Sequence, residues 1–190
     1  MTDNTAKKGR LQFLAIALVF FGPLGVAAWM YFGHLGAPEG RSNHGALLEP
    51  IVSLGDGVPE SRILEVGDGT WMLLYSNQGP CDDACREALY KGRQSRTMLG
   101  REMERVQRVF LHGESAPDTL FIAAEHQGLI TIEDASLAGL LENKRPAALP
   151  AGGYFLIDPL GNLVMYFRPD IEPRDMVDDI KHLLRLSRIG

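Results

Sequence analysis

Trp71-Met-Leu-Leu-Tyr75, then Ser76-Asn-Gln-Gly-Pro80, then Cys81-Asp-Asp-Ala-Cys85-Arg-Glu-Ala-Leu89 join an apolar run, a polar loop and both of the chain's cysteines. The apolar run predicts a buried strand. Beyond the loop, Ala84, Cys85, Ala88, Leu89, Gly92, Leu99 and Met103 recur near one face of a helix that fades between Gly100 and Arg105. On a helix, residues i and i+4 have Cα atoms about 6.2 Å apart, inside the range of about 4.4–6.8 Å that a disulfide bridges. The same two sulfurs could hold one soft ion such as Cu(I). As a structural staple the pair would be poorly placed, because closing so short a loop contributes about 2 kcal/mol, against about 4.7 for a 100-residue loop. Redox or metal chemistry is therefore favoured over a staple or two unrelated buried thiols.

A chain of 190 residues that is 45% hydrophobic and 23% charged suits one globular domain plus one short special segment. The first 33 residues carry Lys7, Lys8 and Arg10 against Asp3, a balance of +2, so the remainder carries −7 of the net −5. An acidic domain without a basic stripe is a poor partner for a phosphate backbone, and nucleic acid is excluded as a partner.

Leu11 to Gly33 is apolar except for Gln12, and about 20 residues of helix suffice to cross a bilayer's hydrocarbon core. Residues 11–33 are thus expected to form a transmembrane anchor. Pro23 is tolerated there. The basic cluster before the run, with none comparable immediately after it, puts residues 1–10 in the cytoplasm and the domain on the other side. A cleaved signal peptide is the competing reading, since Val26-Ala27-Ala28 offers small residues, but its apolar core would be about 7–15 residues long. Either way the cysteines face a compartment that permits disulfides.

Residues 34–59, rich in Gly and Pro, read as a tether, with His34 and His44 as solvated linker residues; the domain is placed at 60–190. Arg62 to Val66, Gly67-Asp-Gly69 and Trp71 to Ser76 read as strand, turn, strand. Val106 to Leu111 is a further strand ending at His112. Leu120 to Glu125 and Ser136 to Glu142 are short helices. Gly153 to Asp158, the turn Pro159-Leu-Gly161-Asn162, and Leu163 to Phe167 form a hairpin. A last helix starts near Pro173 and sets Met176, Val177, Ile180, Leu183, Leu184 and Ser187 on one face, leaving Asp178, Asp179 and His182 to solvent. This is an α/β order with the cysteines at the carboxyl end of a strand and the N-terminus of a helix, where open α/β sheets place their sites. The helix end favours a thiolate, while Asp82 and Asp83 oppose one.

Over residues 48–188 the chain resembles the Sco/SenC proteins, membrane-tethered thioredoxin-like domains that help assemble the binuclear copper centre of cytochrome c oxidase. Cys81-Asp-Asp-Ala-Cys85 stands where that family has Cys-Pro-Asp-x-Cys. Phe110-Leu111 with Asp118-Thr119 matches its strand and Asp-Thr loop, and Phe155-Leu-Ile-Asp-Pro-Leu-Gly161 matches its Leu-Ile-Asp-Pro-x-Gly hairpin. The resemblance implies a thioredoxin-like α/β domain with a single N-terminal transmembrane helix. The family's copper site also uses a histidine eleven residues before the turn glycine; here that position is Pro150, and no histidine lies between His126 and His182. A proline just ahead of that strand is shared with redox-active thioredoxins, where it is cis, though a plain loop proline is an equal reading. A peroxiredoxin would carry Thr or Ser where Gln78 stands, and thioredoxin proper has two residues between its cysteines rather than three.

The reading that follows is a Sco-like thiol–disulfide protein on the periplasmic side of the inner membrane. Cys81, as the attacker nearer the helix end and the exposed loop, and Cys85 would act on copper-centre thiols of an oxidase subunit, with lipid as the anchor's partner. The alternatives are a Cu(I) carrier using both sulfurs, with or without His112, which closes the strand beside Trp71 to Ser76, or an assembly factor that only docks.

Overall fold

In the computed structural model, residues 3–32, 43–67 and 69–187 are described, with side chains except those of 3–11, 14 and 31. The chain divides into two units, one ending at Ser42 and the other beginning at Asn43. Among the described residues the first holds one helix, α1, Asp3–Phe32, 30 residues with Pro23 inside it, or about 45 Å of helix. Most of its described apolar side chains are exposed, Phe13, Leu18 and Phe20 among them. Among the described residues no helix is long and apolar enough to cross a membrane; the unbroken run with described side chains covers only 15–30.

The second unit opens with β1 (Ala46–Ser53) and two single turns, α2 (Leu54–Gly57) and α3 (Ile63–Val66). Next come β2 (Trp71–Asn77), α4 (Asp83–Met98), a 3-10 turn (Gly100–Arg105) and β3 (Val106–His112). α5 (Thr119–Glu125), β4 (Leu129–Glu133), α6 (Ala135–Lys144), the hairpin β5 (Tyr154–Ile157) and β6 (Asn162–Phe167), and α7 (Pro173–Leu186) complete it. One six-stranded sheet runs β1-β6-β5-β2-β3-β4. β2, β3 and β4 are parallel neighbours joined through α4 and α5, whereas β5, β6 and β1 add antiparallel.

β2 lies inside the sheet and is covered on both faces, which is why Trp71 to Tyr75 reads as an unbroken apolar run. Trp71, Leu73 and Tyr75 enter a core with α4 and α7, and Met72 and Leu74 enter a second core with Ile63, Leu137 and Leu141. Aspartates start three of the helices by accepting backbone N–H groups otherwise left without partners: Asp82 from Cys85, Asp118 from Leu120 and Asp134 from Leu137. Pro173 opens α7. Gly161, at φ 80°, makes the β5–β6 turn.

Several expectations are corrected. Residues 62–66 are helical rather than a strand: Val66 N–H and Gly67 N–H close turns onto Arg62 and Ile63 carbonyls, and the buried Ile63 fixes that turn against α6, overriding its β propensity. Part of the expected tether, 46–57, is β1 and α2. Pro50 breaks the alternation there and the ladder slips between Leu47 and Val52, as edge strands permit. His44 is exposed as expected, but it directly precedes this strand. β4 was not foreseen. Ala84 is exposed, and Asp179 is buried, its carboxylate accepting the His44 and Gly45 N–H groups, both at 2.8 Å. Asp178 and His182 do face solvent. His34 lies outside the described residues.

Candidate functional site

The carboxyl end of β2 and the first turn of α4 position both cysteines. The connecting loop is held by Asn77, whose Oδ1 accepts the Gly79 N–H at 3.1 Å and whose Nδ2 donates to the Pro80 carbonyl at 3.3 Å. The Asp82 N–H returns to that same carbonyl at 3.0 Å. Asp82 then caps α4 by accepting the Cys85 N–H at 3.1 Å. Cys81 and Cys85 form a disulfide with Cα atoms 5.0 Å apart, closer than the helical spacing because Cys81 precedes the helix and lies on the extended side of its cap.

The two sulfurs differ in access. Cys85 is 1% exposed inside the core that α4 covers, while Cys81 is only partly buried against that core. An incoming thiolate or disulfide therefore meets Cys81 first. Around the pair, Asp82 and Asp83 are exposed and Arg86 stacks 4.6 Å over the Phe121 ring. The Tyr75 hydroxyl, pushed up to about 12 by burial first and then by the charges of Asp82 and Tyr166, stays protonated beside them. On the sheet face that α6 covers, a cleft of about 440 Å³ opens at the same strand end, lined by Ser76, Gln78, Leu141, Arg145, Gly152 and Phe155.

His112 pairs in register with Asn77 across β2 and β3 and is 8% exposed. It stands two residues beyond Phe110 and so shares the sheet face of the cysteine helix. Its Nδ1 lies 2.7 Å from the Gly113 carbonyl. A carbonyl only accepts, so Nδ1 carries a proton, and in the neutral tautomer of that arrangement Nε2 holds the lone pair. Among the described residues, no three His, Cys, Asp or Glu side chains are gathered as a metal site; the two sulfurs, once reduced, suit Cu(I) as a pair. Pro150 is a loop proline: the cis peptide bond among the described residues is Glu49–Pro50, and the Pro150 carbonyl accepts the Tyr166 hydroxyl.

Sequence reasoning missed Asn77 and Gly113. An Asx-type residue two before Gly79-Pro80 is the available signal for the first. Gly113 has no local signal: a Cβ there would stand 2.4 Å from the Gln78 carbonyl oxygen, so its loop and the cysteine loop touch backbone to backbone.

Residues 71–187 match the family model described as transmembrane-like, thioredoxin-like, C-terminal domain, and residues 3–34 match the transmembrane-like, N-terminal domain. The chain belongs to this transmembrane-like, thioredoxin-like family. Its fold is also that of Sco proteins. Yeast Sco1 with copper bound superposes with a TM-score of 0.52 at 16% identity, covering 65% of this chain and 81% of that one. Arabidopsis thaliana ScoI with copper bound gives 0.52 at 17%, covering 65% and 89%. The apo Sco1 of Thermus thermophilus gives 0.50 at 19%, covering 63% and 83%. No curated protein matches the chain.

Proposed function

We propose that this protein is a membrane-anchored, Sco-like thiol–disulfide protein that keeps the copper-centre cysteines of a cytochrome c oxidase subunit in the right redox state through Cys81 and Cys85. The observation that carries the reading is the disulfide between a partly exposed Cys81 and a buried Cys85 at the N-terminus of α4. A staple would not need one reachable sulfur, whereas exchange does.

In the reducing direction, the Cys81 thiolate attacks one sulfur of the partner's disulfide. A mixed disulfide forms and the partner's other sulfur leaves as a thiolate that takes a proton. The Cys85 thiolate then attacks Cys81 Sγ, closing the intramolecular disulfide and releasing the second partner thiol. Two electrons and two protons have passed to the partner, and a dithiol donor must restore Cys81 and Cys85. The N-terminal end of α4 stabilises the attacking thiolate, and Asp82 and Asp83 temper it.

The anchor reading rests on the 30 residues of α1, its exposed apolar side chains and the transmembrane-like family match. The Lys7, Lys8 and Arg10 cluster orients it, with the thioredoxin-like domain on the periplasmic face. Cu(I) delivery is the second reading, supported by the copper-bound Sco structures that share the fold; Cu(I) would then be cargo held by the two reduced sulfurs. The test is oxidase assembly in cells carrying Cys81→Ser together with Cys85→Ser. Loss of the assembled copper centre supports the proposal, and full assembly leaves docking alone.

A further inference from the structure

The residue of β3 with the greatest unmet charge is Arg108. It is 6% exposed, its Nη2 donates to the Gln127 carbonyl at 2.8 Å, and its Nη1 is buried with no partner. Among the described residues no carboxylate pairs with it. Its charged neighbours are Arg96 and Arg93, which with burial, the larger cause, draw the guanidinium down to about 10, so it is still a cation at neutral pH. His126, 2% exposed, is close enough to feel Arg108 and Arg93, and its Nδ1 is likewise buried without a partner.

The acid near this corner is already engaged, since Glu125 pairs with Arg93 at 3.4 Å, and Arg96 Nε is committed to the Val106 carbonyl at 2.7 Å. Arg108 lines a small, partly open pocket of about 10 Å³ together with Leu73, Ala88, Leu89, Gly92 and Leu129, room for one water-sized particle. A water there would satisfy an N–H but leave the charge uncompensated beside apolar walls, and buried charges are ordinarily paired. A guanidinium is weakly hydrated and retains its charge, so it suits a weakly hydrated anion of like size. A neutral His126 with its proton on Nδ1 can still donate.

We propose that the Arg108 and His126 corner, between β3, α4 and the turn before β4, is a buried binding site for one monatomic monovalent anion, a halide. The site lies against α4 one to two turns beyond Cys85 and is separate from the exchange chemistry, so it stands or falls without it. The experiment is thermal unfolding of the full-length protein in detergent, with sodium gluconate replaced by sodium chloride at constant ionic strength. The expected result is a saturable rise of a few degrees in the wild type, as one-site binding to the folded state gives. Arg108→Met should unfold at or above the wild-type temperature in gluconate, because replacing a buried uncompensated charge by an apolar chain is neutral or stabilising, and it should not respond to chloride. Wild-type crystals soaked in bromide should show an anomalous peak within hydrogen-bond distance of Arg108 Nη1, a readout that does not depend on the variant folding. An equal chloride response in Arg108→Met, or neither a response nor a bromide peak in the wild type, overturns the site.

Discussion

Cys81 and Cys85 differ by one structural fact, which side of the α4 cap each occupies, and that fact predicts their separate behaviour. With Cys85→Ser, Cys81 keeps its access but the mixed disulfide cannot be resolved, so a covalent adduct with the partner should accumulate on non-reducing gels. With Cys81→Ser no adduct should form, because Cys85 is buried. The reverse pattern would exchange their roles. His112 is weighed at the same scale: its Nδ1 is held by the Gly113 carbonyl, which fixes the ring and turns Nε2 into the available lone pair. His112→Ala should change Cu(I) affinity or thiol reactivity by less than either cysteine replacement does. A loss of copper as complete as that of Cys81→Ser, in competition with a chromophoric Cu(I) chelator, would mark a three-ligand centre and favour Cu(I) delivery.

Among the elements, the loops that follow β2 and β3 approach backbone to backbone at Gly113, where a Cβ would stand 2.4 Å from the Gln78 carbonyl oxygen. Gly113→Ala should force the two loops apart at a cost of about 1–3 kcal/mol and slow exchange by Cys81 more than remote substitutions of equal destabilisation; unchanged exchange at equal stability would show that the cysteine loop does not lean on it. β1 is secured differently, by the buried Asp179 of α7 accepting two N–H groups at residues 44 and 45. Asp179→Ala should cost about 2–3 kcal/mol, since it leaves those donors unsatisfied. Burial raises the Asp179 pKa, Asp175 adding to the rise, while the two N–H groups and His44 oppose it. The folded state therefore holds a proton that the unfolded chain has lost, in the window just above the ordinary carboxylate range. There this group's contribution makes stability fall as pH rises. Asp179→Asn should flatten that slope in urea titrations run through the window, and an unchanged slope would assign it to another group. Neither device could be read from the chain. Asp179 stands beside Asp178 on a helix whose apolar positions declare themselves, and its partners lie some 135 positions away in sequence; by contrast β2, β3, the hairpin and α7 were legible because their periodicity is local. Residues 62–66, β1 and β4 were not, being short or interrupted segments decided by tertiary contact.

For the molecule as a whole, the sequence separates a basic, apolar N-terminal segment from an acidic domain, and the two family matches divide the chain in the same way. The cysteine geometry has meaning only in a compartment where Cys81–Cys85 can be oxidised and reduced by exchange. The two halves of the proposal are thus linked: if α1 inserts with Lys7, Lys8 and Arg10 in the cytoplasm, the disulfide faces the periplasm. The protein should remain in the membrane fraction after alkaline carbonate washing and keep its N-terminal residues. After reduction, Cys81 should react with a membrane-impermeant maleimide in intact spheroplasts, and residues 1–10 should be reached only after lysis. Moving the charge balance by replacing Lys7, Lys8 and Arg10 with glutamine should weaken that orientation and expose a fraction of Cys81 to the cytoplasm. A mature chain starting near Ala28 or Trp29 and free in the soluble fraction would make the segment a cleaved leader, leaving the exchange chemistry intact but the anchor refuted.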